Sequence, residues 1–198
     1  MVDQIVARLE KPASELKLAF IPTAGDPYGD DKPWMDEDRK SLTDAGFKVQ
    51  DVDLKNKSEE TFRKELKDFD IIFVAGGNTF YLLDWVKKSG FDKVTKELVQ
   101  NGIIYIGSSA GSYIACPTVE AASWKHADKN IVRLKDWTAL NLVNFILVAH
   151  YEERYQEMVE ANKKTAKYPV YTLTNDQMIV VEEDKYTLVS EDVEYKLS

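Results

Sequence analysis

The sequence predicts an α/β fold built on a mostly parallel sheet with helices on both faces. Short apolar runs alternate with amphipathic helical patterns through the first two thirds of the chain, the pattern of crossover-connected parallel strands. Two of those runs end in clusters of small residues, Gly76-Gly77-Asn78-Thr79 and Gly107-Ser108-Ser109-Ala110-Gly111. In parallel sheets the carboxyl ends of the strands are where sites form, so both clusters are placed to face one crevice.

Leu16 to Pro22 reads as the first strand, stopped by Pro22 and a loop from Thr23 to Pro33. Trp34 to Ala45 has helical spacing and ends at Gly46, and Phe47 to Val52 alternates as a strand does. Ser58-Glu59-Glu60-Thr61 resembles a capping box opening a helix to about Phe69. Asp70 to Ala75 is a third apolar strand, followed by helical patterns from Phe80 to Lys88 and from Phe91 to Gln100.

Asn101-Gly102 turns the chain into a fourth strand, Ile103 to Ile106, and the five small residues lead directly into a helix around Ile114-Ala115. Gly-x-Ser-x-Gly between a strand and a helix is the pattern of a nucleophile elbow, with Ser109 at the sharp point. Gly107 and Gly111 fit because side chains there would collide with the tightly turned backbone. The Ala110 amide would lie at the helix N-terminus, aimed at a developing oxyanion, and Gly77 could supply a second donor with Asn78 positioning substrate. Each cluster also suits a plainer role, the first as a turn with an N-cap and the second as a β-to-α turn kept small for packing. No phosphate-binding glycine motif occurs.

Pro117 to Asn130 reads as a loop or short helix carrying Glu120, His126 and Asp128. Val143 to Ala149 reads as a strand running into His150, and a helix follows from Glu152 to about Ala166. Val170 to Leu173, Met178 to Val181 and Tyr186 to Val189 read as strands forming antiparallel hairpins at one edge.

With two histidines in the chain, the candidates for a general base are few. His150, at the end of an apolar strand, is better placed than His126 in a polar loop. The acid that would orient it is either Asp176, in the turn after the Val170 strand, or Glu120, eleven residues after Ser109, with Asp128 a distant third.

The 198 residues suit one domain, 1–198, with 44% hydrophobic and 30% charged residues as in an ordinary globular protein. A net charge of −8 argues against a nucleic-acid partner. No apolar run approaches a membrane span and no signal-peptide pattern opens the chain, which predicts a cytoplasmic protein without a membrane partner. The single Cys116 excludes an internal disulfide and is expected to pack in the core; no Cys/His set has zinc-ligand spacing.

Phe20-Ile21-Pro22-Thr23, Gly76-Gly77-Asn78-Thr79-Phe80, the Gly107 to Gly111 elbow with Cys116-Pro117-Thr118 behind it, and the strand ending in His150 together resemble the peptidase E family of serine peptidases and its cyanophycinase-like relatives. The resemblance covers most of the chain. It implies a three-layer fold similar to class I glutamine amidotransferases, with a serine in place of their cysteine. It further implies that Ser109 attacks a peptide carbonyl, that His150 relays the proton with an acid behind it, and that the Gly77 and Ala110 amides hold the oxyanion. The expected substrate is a small peptide, Asp-initiated dipeptides among them; no cofactor or metal is expected, and the protein would be a monomer or homodimer. Two departures stand out. Trp124 aligns where peptidase E carries an acid, and the segment after His150 is shorter, leaving Arg154 either as the substrate-recognising arginine or as a helix-surface residue paired with Glu.

Overall fold

The computed structural model describes residues 2–125, 128–183, 185–190 and 193–197. The chain runs α1 (Val2–Val6), β1 (Lys17–Ile21), α2 (Pro33–Asp44), β2 (Lys48–Asp51), α3 (Glu59–Glu65), β3 (Ile71–Val74), α4 (Thr79–Ser89), α5 (Phe91–Gln100), β4 (Ile104–Gly107) and α6 (Ala110–Ala115). It continues through α7 (Ala121–Trp124), β5 (Ile146–Val148), α8 (Gln156–Lys163), β6 (Val170–Thr172), β7 (Gln177–Glu182), β8 (Lys185–Ser190) and β9 (Val193–Leu197). Short 3₁₀ turns at Thr23–Tyr28, Leu66–Asp68 and Glu153–Tyr155 replace parts of the loop and helices that the sequence predicts there.

The central sheet is parallel, in the order β2-β1-β3-β4. Because successive side chains in a strand point to opposite faces, β1 and β3 divide their residues between two cores. Ala19, Ile21, Ile72 and Val74 pack with Phe62 of α3, Phe80 and Leu83 of α4, Phe91 of α5 and Ile114 of α6. Leu18, Phe20, Ile71 and Phe73 face the other way, onto Met35 and Leu42 of α2 and Ile5 of α1. This gives the three layers, and it explains why β1 and β3 read as unbroken apolar runs. The helix starts are capped as the sequence implies: Ser58 Oγ accepts from the Thr61 N–H, and Asn78 Oδ1 accepts from the Tyr81 N–H.

In the second half the pairing of β6 departs from expectation. Val170–Thr172 does not join an antiparallel hairpin, as the sequence predicts; β6 pairs in parallel with β5, with Val148 beside Thr172. Only β7, β8 and β9 form an antiparallel sheet among the described residues. That sheet packs Ile179, Tyr186 and Leu188 against Phe145, Leu147, Leu173 and Cys116. The parallel β5–β6 pair brings the segments after the two strands, 149–151 and 173–175, to the same end of the molecule.

Among the described residues no helix is long and apolar enough to cross a membrane.

Candidate active site

The site grows from the strand-to-helix turn after β4. Ser109 is held at φ 47° and ψ −104°, a conformation that costs a non-glycine residue about 1–3 kcal/mol. The surroundings over-determine it. The Ser108 N–H donates to Val74 O at 2.9 Å, the Ser112 hydroxyl to Gly107 O at 2.6 Å, and the buried Tyr105 hydroxyl to Gly111 O at 2.7 Å. Burial pushes the Tyr105 phenol well up, so it acts there as a donor. At Gly111 the helix passes so close to β3 that a Cβ would sit 2.1 Å from Val74 O.

His150 follows β5 and also takes a positive φ, 54°. Its neighbours are fixed on both sides: the Ala149 N–H donates to the Tyr113 hydroxyl at 3.2 Å, and the Tyr151 N–H to Leu173 O at 2.8 Å. Lys125, at the end of α7, donates to the carbonyls of Ala149 and His150, the latter at 3.3 Å. Burial holds the Lys125 ammonium below its usual range, against the pull of Asp128 and Glu152. Thus anchored, the imidazole bridges two partners. Nε2 lies 2.9 Å from Ser109 Oγ, and Nδ1 lies 2.6 Å from Asn175 Oδ1. An amide oxygen can only accept, so Nδ1 carries the hydrogen and Nε2 is left free to take one from the serine.

The structure therefore brings Ser109 and His150 together, and Asn175 stands where the sequence points to Asp176. The Asp176 carboxylate instead accepts from the Thr174 hydroxyl within its own turn, and that bond holds it below the usual carboxylate range. Glu120 begins α7, where its backbone oxygen accepts from the Ser123 hydroxyl; no hydrogen bond among the described residues joins its carboxylate to His150. Trp124, aligned where the family carries an acid, packs against the main core. His126 lies outside the described residues. Asn175 escapes a sequence reading that asks for an acid, although its amide oxygen can orient a histidine as a carboxylate does.

Gly76 lies against the nucleophile: a Cβ on it would stand 3.2 Å from Ser109 Cβ. Gly77 has φ 145°, and a side chain there would run into Ala24 O at 2.1 Å, so only glycine fits. Neither the Gly77 nor the Ala110 N–H donates in the turn, loop and cap bonds of the described backbone. Asn78 is buried, its Oδ1 capping α4 and its Nδ2 donating to Lys129 O at 3.0 Å. These bonds hold the loop in place. Arg154, on the exposed turn after His150, pairs with Glu152 at 2.6 Å and lies over the Tyr155 ring.

Cys116 behaves as core. It is buried behind α6, and burial pushes its thiol up to about 12. A thiol reagent such as iodoacetamide at pH 8 is expected to leave Cys116 unmodified in the folded protein and to modify it in denaturant, as read by intact mass. No group of three or more His, Cys, Asp or Glu among the described residues could hold a metal ion.

The model of peptidase family S51 matches residues 1–189. An uncharacterized peptidase of Listeria monocytogenes is 31% identical over 167 residues, covering 83% of this chain and 81% of its own. Peptidase E of Streptomyces coelicolor is 30% identical over 189 residues, covering 88% of this chain and 72% of its own. Among solved structures, a protein of Listeria monocytogenes EGD-e provisionally described as peptidase E superposes with a TM-score of 0.82 at 28% identity, covering 100% of this chain and 94% of that one. A peptidase from an acI-B1 actinobacterium shares the fold, with a TM-score of 0.67 at 17% identity over 100% of this chain and 85% of that one. The family match extends from α1 to β8 and takes in both glycine clusters, the elbow and the strand bearing His150; the chain belongs to peptidase family S51.

Proposed function

We propose that this protein is a serine-type hydrolase of small peptides in which Ser109 is the nucleophile, His150 the general base and acid, and Asn175 the residue that orients His150. The observation that carries the reading is the 2.9 Å approach of His150 Nε2 to Ser109 Oγ at a strained strand-to-helix turn.

In the first half-reaction Ser109 Oγ bonds to the peptide carbonyl carbon while its proton passes to Nε2. The negative charge that forms on the carbonyl oxygen is taken up by the Gly77 and Ala110 amides, the latter reinforced by its place at the start of α6. When the intermediate collapses, the C–N bond breaks and the departing amine takes the proton from Nε2, leaving an acyl ester on Ser109. Water then repeats the sequence: its proton goes to Nε2, its oxygen joins the carbonyl carbon, and the ester oxygen recovers the proton.

The test is a panel of dipeptides and short peptides, half of them beginning with Asp, given to the wild type and to Ser109→Ala. Hydrolysis by the wild type, slowed by a factor on the order of 10⁴ or more in the variant, is the expected result. Equal hydrolysis by both, or ester cleavage without any peptide cleavage, would contradict the peptidase reading. A preference for Asp-initiated peptides that disappears in Arg154→Ala would give Arg154 a recognition role despite its pairing with Glu152.

A further inference from the structure

The loops that border Ser109 carry an aromatic pair that the proton relay does not use. The Thr23–Tyr28 turn leaves the carboxyl end of β1 and is fixed to the Gly76-Gly77 loop. There the Asn78 N–H donates to Ala24 O at 2.8 Å, and Gly77 passes so close that a Cβ would stand 2.1 Å from the same oxygen. The turn ends in Tyr28, 42% exposed, whose ring meets Trp34 of α2 edge to face, with centroids 5.2 Å apart and planes at 86°. Trp34 in turn places its indole Nε1 3.4 Å from Gly76 O. Gly76 is the residue on which a Cβ would stand 3.2 Å from Ser109 Cβ, so one glycine separates the aromatic pair from the nucleophile.

We propose that Tyr28 and Trp34 form a substrate subsite that takes an aromatic or large apolar side chain next to the scissile bond. The inference rests on the Ser109–His150 reading given above and gives that site its selectivity.

Core packing accounts for only half of the pair. Trp34 is half-buried and rests on the layer that contains Met35 and Phe20, whereas Tyr28 belongs to none of the three apolar clusters. A tyrosine and a tryptophan held edge to face offer a stiff apolar surface that loses little side-chain entropy when a ligand covers it. The charges around the pair favour a neutral guest. Lys55, the cation beside the turn, is held by Asp26 at 2.7 Å and by Asp53 at 3.3 Å. Asp128 is fixed on the other side, its Oδ2 accepting from the Thr79 N–H at 2.9 Å. Burial, together with the charge of Asp128, raises the Tyr28 phenol, so the ring stays neutral. An acidic side chain entering here would give up water to meet further carboxylates, while an aromatic ring gives up none.

The test compares kcat/KM for Phe-Ala, Ala-Phe, Ala-Ala and Asp-Ala in the wild type, Tyr28→Ala, Tyr28→Phe and Trp34→Ala, with fluorophosphonate labelling of Ser109 as a readout that does not depend on the peptide. In the wild type, one of the two Phe peptides is expected to exceed Ala-Ala by about tenfold or more. Tyr28→Ala and Trp34→Ala should each bring that ratio down severalfold, and Tyr28→Phe, which keeps the ring, should retain it. Because Trp34 also packs on the core, the Tyr28 pair of variants decides the matter if Trp34→Ala fails to fold. A loss of rate shared equally by all four peptides would make the two residues structural and overturn the inference. So would a wild type that labels at Ser109 and cleaves Ala-Ala or Asp-Ala as fast as both Phe peptides; the proposed function would stand in that case. A folded wild type without labelling at Ser109 would overturn the proposed function and this inference together.

Discussion

Ser109→Ala is expected to lower kcat by a factor on the order of 10⁴ to 10⁶ while leaving KM within about threefold. The size follows from the way the parts depend on one another. Without Oγ there is no acceptor for the acyl group, and the proton relay through His150 has nothing to activate. What survives is water attacking a carbonyl polarised by the Gly77 and Ala110 amides, which accounts for the residual rate. The fold should be little affected. Ala can occupy the same strained turn, and the hydrogen bond removed joins a partly buried hydroxyl to an exposed ring. Steady-state kinetics on the best peptide of the panel, with circular dichroism as the control for folding, measures both effects.

Gly111→Ala is expected to damage the fold itself. The added Cβ would sit 2.1 Å from Val74 O and 2.9 Å from Val74 Cβ. Neither atom can move freely, because Val74 is a buried residue of the central β3 and its carbonyl accepts the Ser108 N–H that sets the elbow. Relief requires α6 to lift off the sheet, and overpacking of this kind costs about 3 kcal/mol or more. For a chain of this size that corresponds to a fall in Tm of about 6–12 °C. Because Gly111 does not have a positive φ, the effect is steric. Gly102→Ala is the useful contrast: its Cβ would meet nothing within 4 Å, so any loss there comes from its φ of 98° alone, about 1 kcal/mol. A larger fall in Tm for Gly102→Ala than for Gly111→Ala would contradict the packing described for the elbow.

The two glycine clusters and the strands that lead into them are legible in the sequence because the signal is local. Ile71 to Val74 is an apolar run of strand length, and Gly107 to Gly111 packs five small residues between a strand and a helix, a combination that few structures need. His150 can be placed for the same reason, as a polar residue ending a buried strand. The rest depends on contacts across the chain. Whether Val170–Thr172 pairs in parallel with β5 or turns back on β7 is set by which surface each strand covers, and nothing within those residues reports it. Asn175 and Asp176 are adjacent in one turn, and which of them meets His150 is fixed by the Thr174 and Gln177 bonds that shape that turn. Two further elements carry local patterns of their own. Val2, Ile5, Val6 and Leu9 have helical spacing and pack beneath α2, and Val193, Tyr195 and Leu197 alternate along β9.

The most direct measurement is covalent trapping. Wild type, Ser109→Ala and His150→Ala are treated with a fluorophosphonate, and the site and rate of modification are read by peptide mass spectrometry. The account predicts a single adduct on the peptide containing Ser109, formed far more slowly when His150 is replaced and not at all when Ser109 is. An adduct that persists in Ser109→Ala, or a folded wild type that forms none, would contradict it.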